Sequence, residues 1–284
     1  MPVVIRSSSG WGFTPLRVAA VAVFLLPVMT VAGEKAPVLV VPASPTTLDV
    51  AVGLPPEVQL DAAARWQLVE VDHPDVAVSV QLLPELAPDG LPAESTKRLV
   101  GSIPPREGAE DPRRFTLQPA GGDSADSNAG FRLEDVDEKS LGLWDGTSPV
   151  LVYNHGMITA DHVPENDRRR TRSCYVHPLY GLGGEILTED FPRDHYHHHG
   201  VFWTWPHVKI DDRELDLWAD RGIKQRFVVW LNRETGPACG AIGVENGWFV
   251  DETKVMIERV WIRAQKASGD SRSVDLEFTW IPVE

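Results

Sequence analysis

The densest group of chemically capable side chains is Asp194-His195-Tyr196-His197-His198-His199-Gly200, which runs into Val201-Phe202-Trp203-Thr204-Trp205. Imidazole titrates near neutral pH and ligates metals, so four histidines within five positions point to proton transfer or metal binding. In an extended segment His195, His197 and His199 share one face, Trp203 and Trp205 lie farther along it, and His198 faces the other way. Alternate residues on a strand lie ~6.6 Å apart, so two imidazoles can reach one ion, whereas residues four apart, at ~13 Å, need a turn between them. A divalent metal such as zinc would therefore sit on His195 and His197 with His177 or Glu185 added, His155 and Glu258 being further donors. Without a metal, His195, His197 and His198 are candidates for acid–base catalysis, complemented by a carboxylate such as Asp194, Glu185 or Glu258. The plainer alternative is a set of hydrogen-bonded histidines that organise a loop.

Indole faces stack on the C–H faces of pyranose rings. Trp203, Trp205 and Trp218, near the cluster in sequence, are therefore candidate saccharide-binding residues together with His177. Trp230, Trp261 and Trp280 read as core filling. Arg168-Arg169-Arg170-Thr171-Arg172 follows Asp161, Glu165 and Asp167 and reads as a solvated loop, or else as a clamp for an anionic sugar or phosphate. Gly181-Leu182-Gly183-Gly184 reads as a hairpin turn and lacks the spacing of a phosphate loop.

The elements that must position these residues are strands. Gly200–Trp205, Val150–Tyr153, Arg226–Leu231, Val255–Ile262 and Val274–Ile281 are strand-like runs, and no segment holds a helical apolar stripe for three turns. Phe227 to Leu231 is continuously apolar, as in a strand buried on both faces. In 255–262 the residues Met256, Glu258, Val260 and Ile262 form the more apolar face. Upstream, residues 37–119 hold 13 prolines, one His and one Trp, with strand-like runs at 38–41, 48–52, 66–71 and 76–83. The expected fold is all-β: a small Ig-like β-sandwich over 34–120, a polar linker over 121–130, and a larger antiparallel β-sandwich over 131–284.

Residues 1–33 read as a secretory signal, with Arg6 and Arg17 before or within an apolar stretch and a cut near Gly33. The protein is thus expected to be exported, periplasmic or extracellular, with no stable transmembrane anchor. The chain of 284 residues carries 27 Lys and Arg against 41 Asp and Glu, a net charge of −14 that argues against nucleic acid as a partner. Eight of the nine His and eight of the ten Trp fall in 131–284, which places the site there. Cys174 and Cys239 are the two thiols, and their pairing is left open by a separation of 65 residues.

Several blocks carry a resemblance: Cys174 to Tyr180, Gly184-Glu185-Ile186-Leu187-Thr188, Asp190-Phe191-Pro192, and the His-x-His-His-x-Gly core at His195, His197, His198 and Gly200. With Asp216-Leu217-Trp218, Glu258 and Val274 to Glu277, they make about 131–284 similar to the exported bacterial PmoA-labelled family, whose function is uncharacterised. The resemblance implies a sandwich of the galactose-mutarotase type and links to sugar metabolism, and it carries over no catalytic residues. Methane oxygenation, which the label suggests, is not expected, because that enzyme's subunit is an integral membrane protein. Family members continue beyond the strand at 274–281, so the resemblance also implies a shortened domain with an open edge and an incomplete pocket. The sequence thus leads to an exported carbohydrate-active protein with a saccharide ligand. An enzyme of the lyase, hydrolase or epimerase type is favoured, and a non-catalytic carbohydrate-binding or cell-surface module is the alternative.

Overall fold

The computed structural model describes residues 3–8, 24–29, 35–55, 58, 60–61, 64–108, 111–121 and 130–283. The leader expected at 1–33 and the core of the linker, 122–129, fall for the most part outside these residues; within the leader only the strands β1 (Val3–Ser8) and β2 (Phe24–Met29) are placed. Among the described residues no helix is long and apolar enough to cross a membrane.

The protein is all-β. Proline-rich sequence between residues 35 and 119 forms β3 (Lys35–Val41), β4 (Leu48–Gly53), β5 (Trp66–Glu70), β6 (Ala77–Leu86), β7 (Pro92–Ile103) and β8 (Arg113–Pro119). With β2 they hydrogen-bond in the order β2-β3-β8-β5-β6-β7-β4, all antiparallel. The sheet encloses Leu39, Val41, Leu68, Leu99, Ile103 and Phe115. Glu70 is buried beside this core and accepts from both Arg113 and Arg106, whose guanidiniums outweigh the cost of burial and hold its carboxyl below the usual range.

The remaining strands are β9 (Phe131–Asp137), β10 (Ser140–Asp145), β11 (Ser148–Asn154), β12 (Ile158–Thr159), β13 (Thr171–Arg172), β14 (Tyr175–Leu179), β15 (Val208–Ile210), β16 (Arg213–Leu215), β17 (Lys224–Thr235), β18 (Cys239–Val250), β19 (Thr253–Gln265) and β20 (Arg272–Pro282). One sheet runs β14-β11-β10-β9, and the other runs β1-β20-β19-β18-β17. Alternation decides how they pack: Ile242 and Val244 of β18, Val260 and Ile262 of β19, and Leu276 of β20 meet Leu141, Leu151 and Tyr153 of the facing sheet. The opposite face of the five-stranded sheet receives the N-terminal unit. There Leu83 and Val100 pack on Cys239 and Ala241, and the Trp261 indole N–H donates to Gly90 O at 2.9 Å.

Two strand expectations change. Phe227–Leu231 lies in β17, an edge strand with register shifts at Phe227/Val229 and Trp230/Asn232, so Val228 and Val229 remain 40% and 47% exposed rather than buried on both faces. Residues 200–205 do not form a strand; after an isolated bridge between Val201 and Val176 they run as loop. Both thiols are buried and free, with burial pushing each up to about 12.

Candidate functional site

The histidine segment is a pair of consecutive turns, not an extended strand. Phe191 is left-handed at φ 47°, and the amides of His195 and His198 donate to Pro192 O and His195 O, at 3.0 and 2.9 Å. This winding overturns the alternating-face expectation. The imidazoles of His195 and His198 stack at 4.8 Å with planes 12° apart, and His197 stands edge-on to His198 at 4.6 Å and lies 5.8 Å from His195. His199 is turned the other way, into the protein. Gly200 closes the segment at φ 44°, with its α-carbon so near Val176 that an added Cβ would lie 2.2 Å from Val176 O.

Trp218, 37% exposed, walls one side of the cluster, with its ring 6.0 Å from His198 and 6.3 Å from His197. His195 is exposed and paired with Asp194 at 3.1 Å; His197 and His198 are half-buried. Among the described residues, the buried Nδ1 of His197 has no hydrogen-bond partner. Partial burial, reinforced by the neighbouring His198, Arg169 and His195, lowers the His197 pKa and favours the neutral imidazole, the form able to accept a proton.

His199, unremarked as a separate element in the sequence, anchors the loop. Its Nδ1 is 2.9 Å from Asp190 Oδ1, the other oxygen of Asp190 accepts from the Tyr175 hydroxyl at 2.7 Å, and Phe191 and Phe202 pack on the ring. Burial lowers its pKa, partly opposed by the Asp190 hydrogen bond.

Glu258 is not at this surface. It is fully buried and sits opposite Asn246 of β18 and Trp280 of β20, so register alone brings their side chains beside it. Oε1 accepts from Trp203 Nε1 at 2.8 Å and Asn246 Nδ2 at 3.0 Å; Oε2 accepts from Trp248 Nε1 at 2.8 Å and Trp280 Nε1 at 3.2 Å; Gln225 Nε2 donates to both. Five neutral donors converge on one carboxylate, an acceptor-only group when ionised. A cation reaches it through an amide. Gln225 Oε1 accepts from Arg172 NH2 at 2.7 Å, and Arg172 NH1 binds Asp220 at 2.7 Å and Leu217 O at 2.9 Å. Arg172 thus ties the buried carboxylate network to the loop that carries Trp218. Glu258, expected to act with the histidines, thus lies in a buried network and not among their exposed rings.

The other expected residues separate. Trp203 is occupied by Glu258 and packs on Phe278. Trp205 stands edge-on to Trp248 and tilted against Trp280, and lines a different, open groove of about 790 Å³ with Val208, Met256 and Pro282. His177 sits on β14 with Nδ1 3.0 Å from Thr188 Oγ1, burial lowering its pKa. Glu185 is exposed at the turn of the 181–184 hairpin, where Gly181 N donates to Glu185 O. Neither joins the His195–His197 pair, and among the described residues no group of three or more His, Cys, Asp or Glu is arranged to hold a metal ion. The expected divalent-metal site is therefore not assembled by His177 or Glu185. What converges is an imidazole cluster beside an exposed indole. The arginine run also divides: Arg172 is buried in the network, Arg169 and Arg170 pair with acids, and exposed Arg168 donates to Ala219 O and acts electrostatically on Asp167 and Asp220.

Residues 143–284 match the model of a family of unknown function, DUF6807. The match covers half of the chain, and the protein belongs to that family. No curated protein and no solved structure matches it.

Proposed function

We propose that this member of the DUF6807 family is an exported carbohydrate-active enzyme, of the lyase, hydrolase or epimerase type, that works at the face formed by His195, His197, His198 and Trp218. The observation that carries the reading is the convergence of three imidazoles within 6 Å of one another beside a partly exposed indole. Trp218 offers a sugar ring an apolar platform. His197, kept neutral, accepts a proton, and the stacked pair His195 and His198 supplies donors for hydroxyls or a leaving oxygen. Export is supported by the leader-like residues 1–33, and the link to sugars by the resemblance to the PmoA-labelled family and its mutarotase-type sandwich. The test is a turnover screen on a panel of glycosides and free sugars with the wild type, H197A and H198A. Turnover by the wild type that falls at least a hundredfold in both variants, with folding intact, supports the reading. Sugar binding at Trp218 that survives both substitutions, with no turnover in any protein, makes the domain a non-catalytic carbohydrate-binding module instead.

A further inference from the structure

The first and last residues of the arginine run, Arg168 and Arg172, both turn to one loop, residues 216–221. Its base is closed by paired backbone bonds, Asp216 N to Arg221 O at 3.0 Å and Arg221 N to Asp216 O at 2.7 Å. Inside the loop, Asp216 Oδ1 accepts from Ala219 N at 3.0 Å. Arg168 Nε donates to Ala219 O at 3.0 Å, and Arg172 NH1 donates to Leu217 O at 2.9 Å and to Asp220 Oδ1 at 2.7 Å. Leu217 N donates to Trp205 O at 3.1 Å. Asp220 takes a left-handed φ of 53°, which a residue with a side chain holds where its surroundings fix it. Arg172 supplies that restraint, with Lys224 4.0 Å from the carboxylate and Arg168 adding to the same field. Trp218 is the one residue of the loop without a hydrogen bond among the described residues.

The indole is also held from behind. Phe202 lies 5.1 Å from it, and is itself packed between the His199 ring at 5.5 Å and the Arg172 guanidinium at 5.7 Å. Arg172 therefore restrains the chain on both sides of Trp218 and the ring beneath it. Its three acceptors, Leu217 O, Asp220 and Gln225 Oε1, suit a planar guanidinium fork and not a single ammonium.

We propose that Arg172, with Arg168 as the outer tie, is the positioning device of the site, holding Trp218 as a preformed platform for a sugar ring beside His197 and His198. The inference rests on the saccharide reading above and extends it to residues that set affinity without touching the ligand. An indole already ordered in the free protein has little rotamer freedom to lose on binding, and a platform displaced by about 1 Å no longer lines a sugar up with the imidazoles. The arginine run thus acts on the protein's own loop and not on an anionic group of a ligand.

The experiment follows the Trp218 indole N–H of the full chain by NMR. Relaxation gives its order in the free protein, and titration gives the affinity for D-glucose, D-galactose and their methyl glycosides. The variants are R168Q, at an exposed position; R168K, which keeps a donor for Ala219 O; and R172K, which keeps the charge facing Asp220 and loses the fork. In R168Q and R172K the Trp218 signal is expected to lose order on the picosecond-to-nanosecond scale, and sugar affinity to fall roughly three- to tenfold, the cost of ordering one side chain. R168K should keep both near the wild type. In R168Q the indole signals of Trp203, Trp248 and Trp280, which bind Glu258, should stay unmoved, and this separates a lost platform from general loosening. Should R172K not fold, R168Q and R168K decide. A Trp218 as ordered in the variants as in the wild type overturns the inference and leaves the saccharide reading standing. A mobile Trp218 with undiminished sugar affinity overturns it too. A wild type whose Trp218 signal no sugar moves overturns the saccharide reading and, with it, the inference.

Discussion

Replacing Glu258 by Gln exchanges one carboxylate oxygen for an NH2 group and leaves shape and volume almost unchanged. Whichever oxygen is lost, three buried donors within 3.2 Å are left facing another donor. They are Trp203, Asn246 and Gln225 on one side, or Trp248, Trp280 and Gln225 on the other. Gln225 can fall back on the remaining oxygen, so two donors are orphaned, at about 1–3 kcal/mol each, and the surviving bonds lose the strength that a charged acceptor gives them. The expected loss is about 3–6 kcal/mol, a large part of the ~5–15 kcal/mol that holds a folded domain. It should lower the melting temperature by roughly 10–20 °C. The assay is calorimetry with urea denaturation, combined with NMR of the indole N–H protons. Those of Trp203, Trp248 and Trp280 should shift together, and Trp218 should broaden as its loop loses the Arg172 and Gln225 tie. An E258Q protein within about 1 kcal/mol of the wild type, with the indole protons unmoved, would refute this account of the carboxylate.

Further outcomes follow from the same geometry. H197A and H198A, at half-exposed positions, should change stability by less than about 1 kcal/mol while removing saccharide turnover, and unfolding of either variant would contradict the placement of these rings. His155, His177, His197 and His199 all have pKa values lowered below the ordinary 6.5, first by burial. The unfolded chain therefore binds more protons at mildly acidic pH. This contribution to stability is fully present above pH 6.5 and is lost as pH falls through the lowered folded values. Melting temperature should accordingly drop between pH 7 and 5, and a constant or rising value would show the histidines to be solvated. Gly200→Ala, with its Cβ forced against Val176 O, should destabilise by about 1–3 kcal/mol, as read by denaturation, and a neutral result would mean that the loop closes differently. Asp190→Asn leaves either Tyr175 or His199 without its acceptor and should cost about 1–3 kcal/mol, with the His199 ring signals shifting in NMR.

The strands of the core were legible because alternation is a local signal. Met256, Glu258, Val260 and Ile262 share a face in the sequence and in β19. The same pattern marked Glu258 as unusual, a carboxylate among apolar neighbours, and its apolar face is indeed its address. Its role was hidden, because the donors that satisfy it come from Trp203, Gln225, Asn246, Trp248 and Trp280, on a loop and three strands that meet only in the folded sheet. The histidine geometry was misread for a related reason. A left-handed phenylalanine at Phe191 and two successive turns leave little trace in residue type, and Pro192 was the one local hint. Trp205 and Trp218 are 13 residues apart in sequence and belong to different surfaces, since β15 and β16 stand between them. The arginine run concealed one buried residue, Arg172, among exposed and partly buried ones, and charge type alone does not separate them.

The most direct measurement is a crystal structure of the protein soaked with the tightest-binding sugar of the panel. The account predicts a sugar ring lying on the Trp218 indole, with polar groups in hydrogen-bond contact with His197 and His198. A sugar seated instead in the groove of Trp205 and Trp248, with the histidine face bare, would contradict it.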